Sequence, residues 1–178
     1  MRITQFNEEV FYSDDKIVKV GRSEIELLKQ KALSNKRKRV RLCAHRSTDD
    51  KLHEMLIIHT KDTYIRPHKH LNKSESFHLI EGVVDVVVFD DEGAITDVIS
   101  MCNISPSCLF YYRMSDPYFH TLIIRSEFLV FHEITSGPFD RKQTVFAPWA
   151  PDETDSAAQA VFLKQLSQSV DGFLSLQK

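Results

Sequence analysis

The chain has 178 residues, enough for one domain with a sizeable core, and its 42% hydrophobic and 27% charged content is that of an ordinary globular protein. A formal net charge of −2 argues against a dominant polyanion partner such as nucleic acid, and no apolar run approaches the roughly 18 residues of a membrane span. Met1 to Glu9 lacks the apolar segment of a signal peptide, so a cytoplasmic protein with neither nucleic-acid nor membrane partners is expected.

In chain order, Ile3 to Tyr12 and Ile17 to Val20 read as short extended pieces around Ser13-Asp14-Asp15. Ser23-Glu24-Ile25-Glu26 matches a capping box, and Ile25, Leu28 and Ala32 then fall on one face, predicting a helix over Ser23 to Leu33 ended by Ser34-Asn35. The basic run Lys36-Arg37-Lys38-Arg39, with Arg41, reads as a solvated connection at the helix C-terminus, where cations are favourable. From Val40 the pattern becomes short β-rich segments: Val40 to Ala44, His53 to His59, Thr63 to His70, Glu75 to Ile80, Val83 to Phe89, Ile95 to Ser100, Cys108 to Arg113, Tyr118 to Arg125 and Phe128 to Ile134. Glu81-Gly82 and Asp90-Asp91-Glu92-Gly93 are hairpin signals, and Pro106, Asp116-Pro117 and Gly137-Pro138 are loop signals. Nine short strands with no helix between them describe a jelly roll. After Phe139 a packed loop carrying Trp149 is expected to cover an edge or end of the barrel. Thr154-Asp155 then opens a second helix, with Ala158, Val161, Phe162 and Leu166 on one stripe and an end near Asp171-Gly172, packed on the barrel exterior or on a second copy. Cys43, Cys102 and Cys108 form an odd set without CxxC spacing, which predicts free buried thiols.

One stretch carries the chemistry. In Arg66-Pro67-His68-Lys69-His70 an extended backbone puts His68 and His70 on the same side, and the polar turn Leu71 to Ser74 lets Glu75 return beside them. Two imidazoles and a carboxylate make a facial set with open positions, suited to Fe, Zn, Mn or Ni more than to Mg or Ca. His120 shares a strand face with Leu122 and Ile124, which places an imidazole inside an apolar strand where it needs a partner, and a metal is one. Adjacent strand residues face opposite ways, so at most one of His53 and Glu54, and one of His132 and Glu133, lines the cavity, while His78 lies opposite in parity to Glu75. Tyr111 and Tyr112 likewise divide, and either phenol is a candidate acid, base or donor. The candidate catalytic set is therefore Tyr111, Tyr112, His53 and Glu133. Arg66, Lys73, Arg113 and His132 are the candidate substrate-binding set, the cations suited to a phosphate or carboxylate at the rim.

His68-x-His70-x4-Glu75-x6-Gly82 resembles the first metal-binding motif of the cupins, and the resemblance implies His120 as a fourth ligand from a later strand. More narrowly, Arg41-Leu42-Cys43-Ala44-His45, Leu52-His53-Glu54-Met55-Leu56-Ile57, Phe110-Tyr111-Tyr112-Arg113 and the stretch from His132-Glu133 to Gly137-Pro138-Phe139 are similar to the WbuC family of cupin-fold metalloproteins, across residues 38 to 152. The resemblance implies a double-stranded β-helix, one divalent transition metal and a link to bacterial surface-polysaccharide (O-antigen) metabolism. Residues 1–39 would form an N-terminal extension packed on the barrel, 40–139 the barrel, and 140–178 a covering loop and helix, all in one structural domain. Cupin kinship also implies a homodimer paired through barrel edges.

Three functions remain open to such a sequence. A metal-dependent isomerase or epimerase would act on a sugar or sugar derivative, possible anionic forms included; an Fe(II) oxygenase would use the same ligands for dioxygen; a non-catalytic cupin would bind a small molecule without turnover.

Overall fold

The computed structural model describes residues 1–103, 105 and 108–177. Pro106 therefore lies outside the described residues. The strands are β1 (Ile3–Gln5), β2 (Val10–Ser13), β3 (Arg39–Cys43), β4 (Leu52–Thr60), β5 (His68–His70), β6 (Glu75–Glu81), β7 (Val83–Phe89), β8 (Ile95–Cys102), β9 (Tyr111–Met114), β10 (Phe119–Ile124), β11 (Phe128–Ser136) and β12 (Thr144–Phe146), with helices α1 (Arg22–Ser34) and α2 (Ser156–Ser175). Among the described residues they form a seven-stranded sheet, β1-β2-β3-β4-β11-β6-β9, and a five-stranded sheet, β12-β5-β10-β7-β8. All neighbours are antiparallel except β2 and β3, which run parallel with α1 as their crossover.

Strand alternation sorts the side chains into layers. On β4, Met55 and Ile57 point between the sheets and join Phe77, Leu79, Val84, Val86, Leu122 and Phe131, whereas Leu56 and Ile58 point outward under α1. Leu28 and Ala32 of α1 close that outer layer against Val40, Leu42 and Val130. Full burial of each larger side chain stabilises by roughly 1.5–3 kcal/mol. On the far side, Val87, Phe89, Phe119 and Ile123 face out beneath Leu166 and Val170 of α2. The order is thus helix, sheet, inner core, sheet, helix, a mainly β jelly roll with a helix from each end of the chain laid on its outside. No helix among the described residues is long and apolar enough to cross a membrane.

Several boundaries differ from the expected ones for physical reasons. Helix α1 is capped at Gly21, two residues earlier than the Ser23–Glu26 box: Glu24 accepts from the Gly21 N–H at 2.9 Å, and Glu26 instead pairs with the buried Lys29. Helix α2 starts at its Asp155 cap as expected but runs through Gly172 to Ser175, because Phe173 and Leu174 still pack on the outer cluster and outweigh the roughly 1 kcal/mol that an interior glycine costs. Only His68–His70 of the expected Thr63–His70 strand pairs, since Pro67 has no N–H to contribute. Residues 17–20 form no strand, and β12, three residues long, was concealed in the loop after Phe139.

The thiol expectation is corrected. Cys102 and Cys108 form a disulfide, and only Cys43 is free and buried. The end of β8 turns back so that the Cys102 N–H donates to Leu109 at 3.0 Å, which brings the two Cα atoms to 5.3 Å. Residue count and spacing carry no trace of that return.

Candidate metal centre

The three histidines converge from the five-stranded sheet. His120 of β10 lies directly opposite His68 of β5, and His70 lies opposite Thr144 of β12. One ring nitrogen from each of His68, His70 and His120 falls within 4.8 Å of the others, a grouping that small side-chain rotations bring onto one ion. Their remaining nitrogens are tied back: Nδ1 of His68 to the Arg66 carbonyl at 2.9 Å, Nδ1 of His120 to the Tyr118 carbonyl at 3.0 Å, and Nδ1 of His70 to Thr144 Oγ1 at 3.2 Å. A carbonyl can only accept, so Nδ1 of His68 and His120 carries a proton and Nε2 is the inward atom, a lone pair on neutral His68 and, on His120, a nitrogen facing Glu75 whose proton an incoming ion would displace. That is the tautomer a metal-binding imidazole requires, held by the outer contacts that orient such ligands. Burial, then the neighbouring imidazoles, push His68 down to about 3, so it stays neutral and able to donate its lone pair.

The seven-stranded sheet supplies the carboxylates from across the core. Glu75, at the start of β6, is buried and its oxygens lie 3.4 Å from His120 Nε2 and 3.6 Å from His70 Nε2. It stands beside the histidine triad and against two of its members. The buried Tyr112 of β9 donates its phenol to Glu75 Oε1 at 2.7 Å. Burial opposes ionisation of Glu75, but the His120 charge and these hydrogen bonds hold its carboxyl well below the usual range, and the same pairing overrides burial to raise His120. Glu133 of β11 pairs in register with Phe77, so it is a same-face diagonal neighbour of Glu75, about 7–8 Å away for such pairs. Burial, and then the Glu75 charge, push Glu133 up to about 8.

A cavity of about 340 Å³ opens from this centre, lined by His68, His70, Glu133, His59 and Ile57 among others. A second of about 230 Å³ adjoins it and shares Arg41, His70 and Glu133. The expected parities resolve here. His53 faces inward from β4, buried, stacked on His45 with ring centroids 4.2 Å apart, and its Nε2 has no partner among the described residues. Tyr112 and Glu133 face inward. Tyr111, Arg113 and His132 occupy the outer face: Tyr111 donates to Ser76 Oγ at 3.2 Å, Arg113 to Ser74 Oγ at 3.0 Å, and His132 is paired with the outward His78. The structure does not bring these three to the centre. Arg66 and Lys73 stand at the mouths of the cavities, Arg66 held by Asp152 at 2.8 Å and Lys73 over the Phe139 ring.

Part of the wall comes from residues whose role the sequence conceals. Arg37, Arg39 and Arg41 line the larger cavity, as do Arg141 and the inward, buried His59. The signal was present as a period of two, Arg39 and Arg41 alternating with Val40 and Leu42, but the charge of the run concealed it.

A family model described as a domain of unknown function (DUF6016) matches residues 20–101. No curated protein matches the chain. Among solved structures it is similar to protein SO0799 from Shewanella oneidensis, at 8% identity over 60% of this chain and 72% of that one, with a TM-score of 0.50. It is also similar to the cupin superfamily protein DSY2733 from Desulfitobacterium hafniense (9%, 55% and 76%, TM-score 0.43) and to the capsular polysaccharide assembling protein CapF from Staphylococcus aureus (18%, 55% and 27%, TM-score 0.45). Two facing sheets, with histidines converging between them from paired strands, are the cupin arrangement. The fold is a cupin jelly roll. Within this fold the donors fit a divalent ion: three inward imidazoles, two of them with the Nδ1 proton fixed by a carbonyl, and an adjacent ionised carboxylate, beside a cavity lined by His68 and His70.

Proposed function

We propose that this cupin is a WbuC-type metalloenzyme that uses one divalent transition metal to isomerise or epimerise a sugar derivative in bacterial surface-polysaccharide metabolism. His68, His70 and His120 would hold the ion, with Glu75 completing or steadying the set. The bound ion would supply Lewis acidity, polarising substrate oxygens and acidifying the carbon beside a carbonyl. The observation that carries the acid–base reading is Glu133, a carboxyl in the same cavity whose pKa is pushed up to about 8, where it can both take and return a proton near neutral pH. Tyr112 is committed to Glu75 and acts as a positioning residue rather than the proton carrier. His53 lines the adjoining cavity and stacks on His45, with its Nε2 buried against Gly137 rather than open to substrate, which makes it part of the wall and not the proton carrier.

The test is metal analysis of protein purified without a metal-affinity tag, followed by deuterium incorporation from D2O into a panel of sugar phosphates and sugar nucleotides. Near-stoichiometric metal with exchange at a carbon next to a carbonyl, lost in Glu133→Gln with metal retained, supports the isomerase. Iron content with oxygen uptake and no exchange would replace it by the Fe(II) oxygenase reading. Failure to hold or accept any of the four metals would overturn the metal centre itself.

A further inference from the structure

The arginines of the larger cavity are unequally compensated. Arg37 and Arg39 are held by Glu9 and Glu153, at 3.5 Å from Arg37 to Glu9 and 3.0 Å from Arg39 to Glu9, and Arg66 is held by Asp152. Arg41 and Arg141 have no carboxylate partner among the described residues. Among the described residues the one side-chain hydrogen bond of Arg41 is a weak one to Met55 Sδ at 3.9 Å. Its position is nonetheless set by the strand: Val40 and Leu42 are buried beneath α1, so Arg41 must project to the other face, over Glu133 and His59. Arg141 comes from the opposite wall, on the 3-10 turn Arg141–Gln143 that leads into β12. A guanidinium cannot discharge, so two permanent charges without a carboxylate partner line a cavity that His68 and His70 line as well.

Planar forks of this kind recognise oxyanions, and bidentately where geometry allows. Two uncompensated cations match a dianion, and a phosphate monoester carries about −1.5 to −2 at pH 7, whereas a carboxylate carries one charge. The neighbouring Glu133, held protonated over much of the neutral range, does not repel such a group. The cavity, about 340 Å³, is in the range of small-molecule sites. We propose that the substrate is a small phosphate-bearing molecule whose phosphate is taken by Arg41 and Arg141 while its oxygen-bearing carbon skeleton extends toward His68 and His70. The orientation of the skeleton rests on the metal-centre reading above; the phosphate site does not.

The experiment is calorimetric titration of the metal-loaded protein with inorganic phosphate at constant ionic strength, with metal per chain measured on the same samples. Wild type should bind one phosphate saturably, and Arg41→Gln and Arg141→Gln should each weaken it about tenfold or more with metal content unchanged. Arg141 lies on an exposed turn, so its substitution keeps the test intact should Arg41→Gln fold poorly. His70→Ala should lose metal yet keep arginine-dependent phosphate binding, which separates a failure of the metal centre from a failure of this site. The proposal is overturned by absence of phosphate binding in wild type, by equal binding in both arginine variants, by binding that disappears with the metal alone, or by acetate or malonate outcompeting phosphate.

Discussion

Glu75 Oε1 lies 3.4 Å from His120 Nε2 while accepting the Tyr112 phenol at 2.7 Å, so one oxygen links a strand of each sheet through the middle of the core. Removing the phenol in Tyr112→Phe leaves a buried carboxylate one hydrogen bond short. The expected cost is about 1–3 kcal/mol, read as a fall of a few degrees in Tm for a chain of this size, together with weaker metal retention. An unchanged Tm and metal affinity would show that the phenol contributes packing against Phe77 alone.

Alanine at His70 or His120 should each remove the metal from otherwise folded protein, because two imidazoles with the Glu75 carboxylate hold an ion far less well than three. Thr144→Val tests the outer contact to His70 Nδ1 and should lower metal affinity about 10- to 100-fold without abolishing it. Elemental analysis after dialysis, with a competing chelator for the Thr144 variant, decides both.

Glu133 ties stability to pH in a definite direction. Its carboxyl is raised from the usual 4.5 to about 8, so the folded protein binds the proton more tightly than the unfolded chain. The stabilisation is complete below about pH 4.5 and is lost as pH rises through about 8, and it amounts to at most a few kcal/mol. In metal-free protein, Glu133→Gln should therefore gain in Tm relative to wild type as pH is raised from about 5 to about 9. A difference that stays flat across that range would refute the protonated state.

Gly82 closes the β6–β7 hairpin at φ +110°, and a Cβ there would sit 2.4 Å from the Phe128 carbonyl oxygen. Gly82→Ala combines backbone strain with a clash against an atom that cannot move aside. The expected loss is at least about 1–3 kcal/mol by thermal or denaturant unfolding.

Much of the centre was legible because it depends on parity within single strands. The one-residue spacing of His68 and His70, and the company of Leu122 and Ile124 around His120, determine which way these side chains point once the strands exist. Parity within a strand cannot say which face is inner when both are mixed, so Tyr111 versus Tyr112 and His132 versus Glu133 stayed open until β6, β9 and β11 were placed side by side. The arginine wall was misread because residues 36–41 look the same whether they flank a helix end or enter an edge of the sheet. The Cys102–Cys108 bond and β12 depend on chain returns that no local pattern encodes. Gly21, with no side chain to announce it, took the capping role from Ser23.

Gly93, at φ +94°, lets the β7–β8 turn pass beneath Trp149, whose ring would lie only 2.9 Å from any Cβ added there. Trp149 in turn packs on Phe89, Phe119 and Phe162 and donates its N–H to the Asp91 carbonyl at 3.2 Å. The same segment continues to Asp152 and Glu153, the carboxylates that grip Arg66, Arg37 and Arg39. The indole therefore works as a bolt: from the outer surface of one sheet it anchors the segment whose carboxylates reach across to Arg66, Arg37 and Arg39 at the cavity.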